Sequence, residues 1–526
     1  MSETLHDFTE SDWKLLQDGR ITFNAPGTQL TRSGLKFNFS LRLKERLLRD
    51  NRFPFGDLIL SNCVFTAEVA IGPYNCAGNV TFINCLFQSA VRIELRDNVK
   101  FEGDCIFKHG LTIMNFDRVT DLANITIDGQ LWIAGNSGAS LRLSNITIKK
   151  QTNKQTTFLG VNFPSVHITK CCFENIQFTG LTDVEGDITI DNSKLSTIDF
   201  FAMKAGGAFR IVNSEVEQIF MRDKNRIGER FIIEGSTIGK ISLPLSSIHE
   251  FEISDSKIEQ LEFVGYTEKD SVAIVQRNTI SKMLLNSIHN EGQLSFREVQ
   301  IPKGGGIEIK SSNLGKTDFI LCNFEKAQFE FQSSKMTEIF VSETEFPTTV
   351  ISNGQENHRQ SQLAFGQISA AFQKQGDTVR SLEYQAREIE AHYKHLSYYH
   401  KRERKLSFTK ISLWLNKWSN DFGRSWQRGI LFSIVTGMIF FYLLVVTSKT
   451  YHVGFPVTID NKLFVSFLRF MNPLRFFDLE GMFKLDSDRP FLYLSEWSYL
   501  WDFLGRVFVA YGFYQTIQAF RRYGRK

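Results

Sequence analysis

The stretch that decides the fold is LILSNCVF, Leu58 to Phe65, with its counterpart VTFINCLF starting at Val80. Both follow one phrase: apolar, any, apolar, two of any kind, small, any, apolar. The phrase returns as LRLSNITI at Leu141, VHITKCCF at Val166 and ITIDNSKL at Ile188, then as FRIVNSEV, FIIEGSTI, FEISDSKI, LSFREVQI, IEIKSSNL and FEFQSSKM, almost to Pro347. With the small position as marker, Cys63, Cys85, Cys105, Ile125, Ile146, Cys171, Ser193, Ser214, Ser236 and Ser256 follow at steps of 20 to 22 residues, with one step of 25 where KKQTNKQTT is inserted. Alternating apolar positions bury one side of an extended chain, so each phrase reads as a strand. A repeat of about 21 residues is too short for a βαβ unit, and successive strands stack as turns of a parallel β-solenoid. At about 4.8 Å per turn, roughly thirteen turns make a rod on the order of 60 Å long. The register falters at VAIVQRNTI near Val272 and between Val299 and Ser312, a step of 13 residues containing Gly304 to Gly306. These read as a loose corner and a partial turn.

Composition agrees with a regular, repetitive interior. The 526 residues hold 49 Phe against 10 Pro, and 42% hydrophobic residues are too many for a largely disordered chain. The net charge of +4 is uneven: residues 401–526 carry 19 Lys/Arg and 9 Asp/Glu, a balance of +10 that leaves −6 on residues 1–400. No nucleic-acid-binding motif accompanies the basic end, so no nucleic-acid partner is expected. The seven cysteines are an odd count and the polar start MSETLHDFTESDW lacks a signal-peptide pattern, which places residues 1–400 in a reducing cytosol. Cys63, Cys85 and Cys105 sit one turn apart without zinc-site spacing and read as stacked interior or corner thiols; neither metal nor cofactor is expected.

At NCVF, NCLF, DCIF and LCNF the chain resembles the bacterial pentapeptide-repeat family. That resemblance implies a four-sided right-handed β-helix. The full Ala, Asn/Asp, Leu pentad is rarely written out, and a generic right-handed β-helix stays open. A gyrase-mimicking role, known for some members, would need a strongly acidic rod, which −6 over 400 residues is not.

After Pro347 the period changes. Residues 1–54 read as an N-terminal cap and 55–350 as the solenoid. Residues 351–400 form a helical hairpin, Gln362 to Gln375 and Thr378 to Leu396, with Asp377 as N-cap. The hairpin reads as a cap for the open end of the solenoid. AFQKQGDTVRSLEYQAREIEAH, NDFGRSWQRG and GFYQTIQAFRRYGRK are similar to bacterial pentapeptide-repeat membrane proteins, and the likeness implies a two-span, channel-like module at the inner (cytoplasmic) membrane. Residues 401–428 carry eight Lys/Arg and two acids, with Ile411, Trp414, Leu415, Trp418 and Phe422 at helical spacing: a basic amphipathic helix on an anionic leaflet, anchored by Trp414, Trp418 and Trp426. Gly429 to Ser448 is a charge-free run of 20 residues, about 30 Å as a helix, and reads as the first span. The second runs over 497–520, before a basic tail at 521–526. The loop 449–496 has six basic and six acidic residues, so the positive-inside rule puts both termini and the solenoid in the cytosol and the loop outside.

Within this module Gly429, Ser433 and Gly437, and Gly505, Gly512 and Ala519, give each span a close-approach stripe. Tyr511, Gln515 and Gln518 form a polar line that either pairs helices or lines a pore, the pore requiring a homo-oligomer. Asp502 and Arg506 make an outward-snorkelling salt bridge or an outer charge gate. In the loop, Leu463, Phe464, Phe467, Leu468, Met471 and Leu474 form one apolar face, of an interfacial helix in preference to a re-entrant pore helix. No TVGYG-type filter follows. The absence of P-loop, HExxH, GxSxG and kinase patterns argues against an enzyme. Two functions follow: a sensor/effector whose solenoid binds a ligand or partner while its oligomeric module conducts or permeabilises, or a scaffold whose solenoid docks proteins and whose spans only anchor it in the bilayer.

Overall fold

The computed structural model describes residues 6–11, 30–38, 41–43, 58–71, 80–94, 99–114, 120–136, 140–148, 156–179, 183–200, 204–221, 226–352, 355–400, 405–450, 461–472, 474, 479, 481–484 and 492–524. It forms two compact units, Met1–Thr349 and Val350–Lys526. Most of the expected N-terminal cap, the last two residues of the basic tail and part of the loop 449–496 lie outside the described residues.

The first unit is a parallel β-solenoid. One ladder runs without a break from Lys36 through Val64, Leu86, Ile106, Thr126, Thr147, Cys172, Lys194, Glu215, Thr237, Lys257, Thr279, Gln300 and Asn323 to Glu345. Each rung lies one residue after the marker of its phrase. The interior is filled by side chains stacked on their own kind: Phe65, Phe87 and Phe107 lie with ring centroids 4.9 and 4.6 Å apart, all buried. Offset stacking of this sort adds to the area that the rings remove from water.

Before most markers stands a residue in the left-handed region: Asn62, Asn84, Asn124, Asn145, Asn192, Asn213, Gly235 and Asp255, with φ between 46° and 58°. Asn, Asp and Gly accept this conformation at least cost. The kink takes the marker's own N–H out of the backbone ladder, and the next turn supplies an acceptor. The amides of Cys171, Ser193, Ser214 and Ser236 donate to the hydroxyls of Ser193, Ser214, Ser236 and Ser256 at 3.0, 3.0, 3.1 and 3.1 Å. Each of these hydroxyls donates in turn to a carbonyl two residues earlier.

The same geometry corrects the expected loose corner and partial turn. At Asn278 the turn is in register: its Oδ1 accepts from the Ser256 amide at 2.8 Å, and its Nδ2 donates to the Ile253 carbonyl. Val299, Cys322 and Thr344 continue the column, with Cys322 N donating to Thr344 Oγ1 at 3.0 Å. Ser312 and Ser334 belong to a second column on another side, following Ser287, Ser311 and Ser333 at positive φ. Two columns of one phrase overlap there, which produced the short step.

Among the described residues the second unit contains six α-helices: α1 (His358–Lys374), α2 (Thr378–His395), α3 (Phe408–Asn420), α4 (Trp426–Val446), α5 (Asn461–Phe470) and α6 (Glu496–Gly524). Asn357, Asp377, Ser407 and Ser425 cap the first four, each accepting from the amide three residues on. The expected amphipathic helix ends at Asn420, and Phe422 belongs to the turn that follows.

The marker geometry predicts a sharp contrast between neighbours. Ser214→Arg, which buries a charge between turns, should lower stability by several kcal/mol, whereas Glu215→Gln, one residue on and exposed, gives up only a solvent-exposed ion pair with Lys194 and should cost far less. Thermal unfolding followed by the strand circular-dichroism signal checks this, and the reverse ranking would overturn the register.

Candidate functional site

The chemistry-bearing residues expected in the C-terminal part converge on one pair of helices. Helices α4 and α6 pack antiparallel: Trp426 meets Phe520 at 5.1 Å between rings, and at the other end Ser498 Oγ donates to the Leu444 carbonyl. Close approach rests on the small residues. A Cβ on Gly429 would stand 3.1 Å from the Thr516 Cα, and one on Gly512 would stand 3.2 Å from the Ser433 Cα. Gly437 faces Val509 and Met471, Gly505 faces Phe440 and Phe470, and Ala519 is fully buried.

The polar residues of α6 turn into this packing. Arg506 Nε lies 2.9 Å from Asp502 Oδ2, and both side chains are at most 10% exposed. The pair is therefore interior rather than snorkelling outward. Gln515 is buried and its Oε1 accepts from Asn420 Nδ2, at the end of α3. The Tyr511 ring packs edge-on against that of Phe432 in α4, 6.1 Å between centroids. Two members of the polar line thus pair helices within one chain, while Gln518 is half-buried beside them. The outer face of α6 is left to Trp497, Leu500, Phe503, Val507, Phe513, Tyr514, Ile517 and Phe520.

Asn420 also shapes the elbow between α3 and α4. Asp421, Phe422 and Gly423 all have positive φ, at 52°, 56° and 87°, a costly run for a bulky residue such as Phe422. The Asn420 Oδ1 accepts from Gly423 N at 2.9 Å, and its carbonyl accepts from Ser425 N at 3.0 Å. The Phe422 ring is buried 6.1 Å from that of Tyr393 in α2. Arg424 Nη1 lies 2.9 Å from Glu390 Oε2, also in α2. Burial pushes the Glu390 carboxyl up, but the Arg424 guanidinium outweighs it and holds the group below its ordinary value. Glu390, Tyr393, Lys410, Ser419, Asn420 and Arg424 were not singled out from the sequence. The run Asn-Asp-Phe-Gly, a turn signal ahead of an N-cap serine, was the available clue.

Helix α5 divides its expected apolar face. Leu463 joins a buried cluster with Leu444, Val445, Met482 and Phe483. Phe467 and Phe470 pack on Phe441 at 5.5 and 5.6 Å, and Met471 reaches Gly437. Phe464, Leu468 and Leu474 face outward. The helix therefore descends along α4 from Leu444 to Gly437, about 10 Å at 1.5 Å per residue. Arg469 Nη1 donates to the carbonyls of Met482 and Lys484.

In the solenoid, a groove of about 950 Å³ is lined by Lys194, Glu215, Glu217, Lys240, Glu259 and Lys282 among others. Its charges are partly matched, Lys194 to Glu215 at 2.6 Å and Lys282 to Glu308 at 2.6 Å. Cys63, Cys85, Cys105, Cys171 and Cys322 are buried free thiols, and burial pushes Cys171 and Cys322 up to about 11. Among the described residues no group of His, Cys, Asp and Glu is placed to hold a metal ion. Compared with protein-family profiles, curated proteins and solved structures, the chain matches none.

Two outcomes test the hub. Gln515→Leu leaves the buried Asn420 amide without its acceptor and should cost about 1–3 kcal/mol; Asn420→Ala should cost a similar amount, and the double variant should cost clearly less than the sum. Unfolding in detergent measures the cycle, and strict additivity would contradict the contact. For Glu390, a pKa lowered by folding gives stability that is present above the ordinary carboxylate value of about 4.3 and lost as pH falls through the lower folded value. The stability gap between the parent and Glu390→Gln should therefore be flat near neutrality and close below about pH 4.

Proposed function

We propose that the chain is a membrane-anchored β-solenoid protein in which α4 and α6 cross the bilayer as an antiparallel pair and the solenoid serves as a non-enzymatic docking scaffold. Among the described residues one helix, α4, is long and apolar enough to cross a membrane on composition alone. The observation that carries the second crossing is the placement of the polar residues of α6. Asp502, Arg506 and Gln515 lower its overall apolarity, yet all three are buried within the unit, and the 29-residue helix presents an apolar and aromatic exterior. Bilayers tolerate polar side chains that face a packed interior and penalise those that face lipid. Arg424, Arg428 and Arg521 gather at one end of the pair, which the positive-inside rule assigns to the cytosol together with the hairpin and solenoid. The motif likeness to bacterial membrane proteins favours the inner membrane. The mixed-charge groove is the solenoid surface best suited to a polar partner.

A second reading, an oligomeric conducting module, is supported by α5. A helix lying along α4 for about 10 Å would be re-entrant once α4 spans the bilayer. Scaffold is preferred because Tyr511, Gln515 and both small-residue stripes are already used within one chain.

Topology and conductance test this reading together. A cysteine at Thr450 should react with an impermeant thiol reagent in intact cells, and one at Glu383 only after lysis. Reaction of both in intact cells, or of neither, would contradict the crossing. Purified protein in planar bilayers should give no conductance. A current abolished by Gln515→Leu in an intact oligomer would instead establish the conducting module.

A further inference from the structure

Helix α3 is inside out for a helix at a water-facing surface. Its lysines turn inward: Lys410 is 7% exposed, and its Nζ donates to the carbonyls of Tyr393 and Leu396, both at 2.7 Å, at the end of α2. The same ammonium lies 4.3 and 4.8 Å from the ring centroids of Tyr393 and Tyr398, and that of Lys417 lies 5.4 Å from Tyr393. Its aromatic residues turn outward: Phe408 is 80%, Trp418 63% and Trp414 39% exposed, with the two indoles 5.9 Å apart. Phe408, Ile411, Trp414, Leu415 and Trp418 recur at three- and four-residue spacing, so this is one continuous face.

We propose that this face of α3 lies in the headgroup–acyl boundary of the bilayer, and that α3 thereby fixes the end of the α2 hairpin at the lipid surface through Lys410, Lys417, Phe422 and Arg424. The inference rests on the membrane-anchored reading and deepens it. Lipid is the occupant because the face leads, within one elbow, into the exposed exterior of α4 at Ile430, Leu431 and Ile434. Trp426 and Phe520 stand at that end of the pair, where amphipathic rings favour the interface. At the same end Arg521 is exposed and suits anionic headgroups, while Arg428, also exposed, lies 3.3 Å from the Asp421 carboxylate. Two indoles and a phenyl ring in water would be an unrewarded apolar patch, whereas the interface takes an apolar ring with a donating N–H.

The test uses the full chain, with Cys76 and Cys172 replaced by serine, in vesicles of phosphatidylcholine and phosphatidylglycerol. An environment-sensitive fluorophore is attached at Trp418→Cys or, with Trp418 intact, at Trp414→Cys, and a reference one at Ile434→Cys. Quenching is read from lipids brominated at shallow or deep acyl positions and from aqueous iodide. The α3 probes should be quenched roughly twofold or more strongly by shallow than by deep bromine, and be shielded from iodide. The Ile434 probe should show the reverse depth order. If α3 is open to iodide and untouched by lipid while Ile434 is quenched by lipid, this proposal fails and the anchored reading stands. Shielding of α3 from both iodide and lipid would mean that protein covers the face, which also overturns it. An Ile434 probe untouched by lipid overturns both.

Discussion

A buried donor or acceptor must meet a partner, and both units are organised around that demand. In the solenoid it appears once per turn. The left-handed residue that kinks the chain at Asn192 or Asn213 frees the next amide from the ladder, and the hydroxyl of the following turn accepts it. An orphaned amide would cost about 1–3 kcal/mol each time, a penalty comparable with the whole stability of a domain when repeated over many turns. The small polar marker is therefore the residue that lets an Asn kink recur, and the Phe and Ile stacks grow on the register that it fixes.

In the helical unit the same demand explains why polar residues point inward. Asn420 answers Gln515, Arg424 answers Glu390, and Lys410 satisfies the last carbonyls of α2, where a cation also suits the helix dipole. The result is a unit whose outer surface is apolar on α4 and α6 and aromatic on α3, with its charges concentrated at the elbow. Such a surface is costly in water and natural in a bilayer. That inversion is what supports the proposed arrangement, in which the helical unit would hold the chain in the membrane and leave the β-solenoid to meet partners.

The solenoid was legible because its signal is local and repeated: alternation gives strands, and the marker spacing gives the stack. Reading failed where the marker changed type. Asn278 does the work of a serine by offering an amide oxygen, and a template of small residues passes over it. That Trp426–Val446 is a helix long and apolar enough to cross a membrane was plain from composition. In α6 an apolar stretch over 497–520 was read, but the placement of Asp502, Arg506 and Gln515 stayed open, since whether a polar residue meets lipid or a neighbouring helix is a tertiary fact. The apolar face on α5 was visible, but its descent along α4 was not: Gly437 and Gly505 had been given to helix pairing, whereas Met471 and Phe470 also occupy the space they leave. The hub needed contacts between residues 95 apart, Asn420 and Gln515, which no periodicity reveals.

The proposed two-span arrangement requires α6 to be immersed with its apolar side outward. Nitroxide labels at Phe503, Val507, Tyr514 and Phe520, all exposed in the isolated unit, report this in nanodiscs through collision with oxygen and with a water-soluble nickel chelate. Oxygen access relative to nickel should be greatest at Val507, near the middle of the pair, and fall towards Phe520. A ratio that stays at its aqueous level along the whole helix would show α6 in water and remove the two-span anchor.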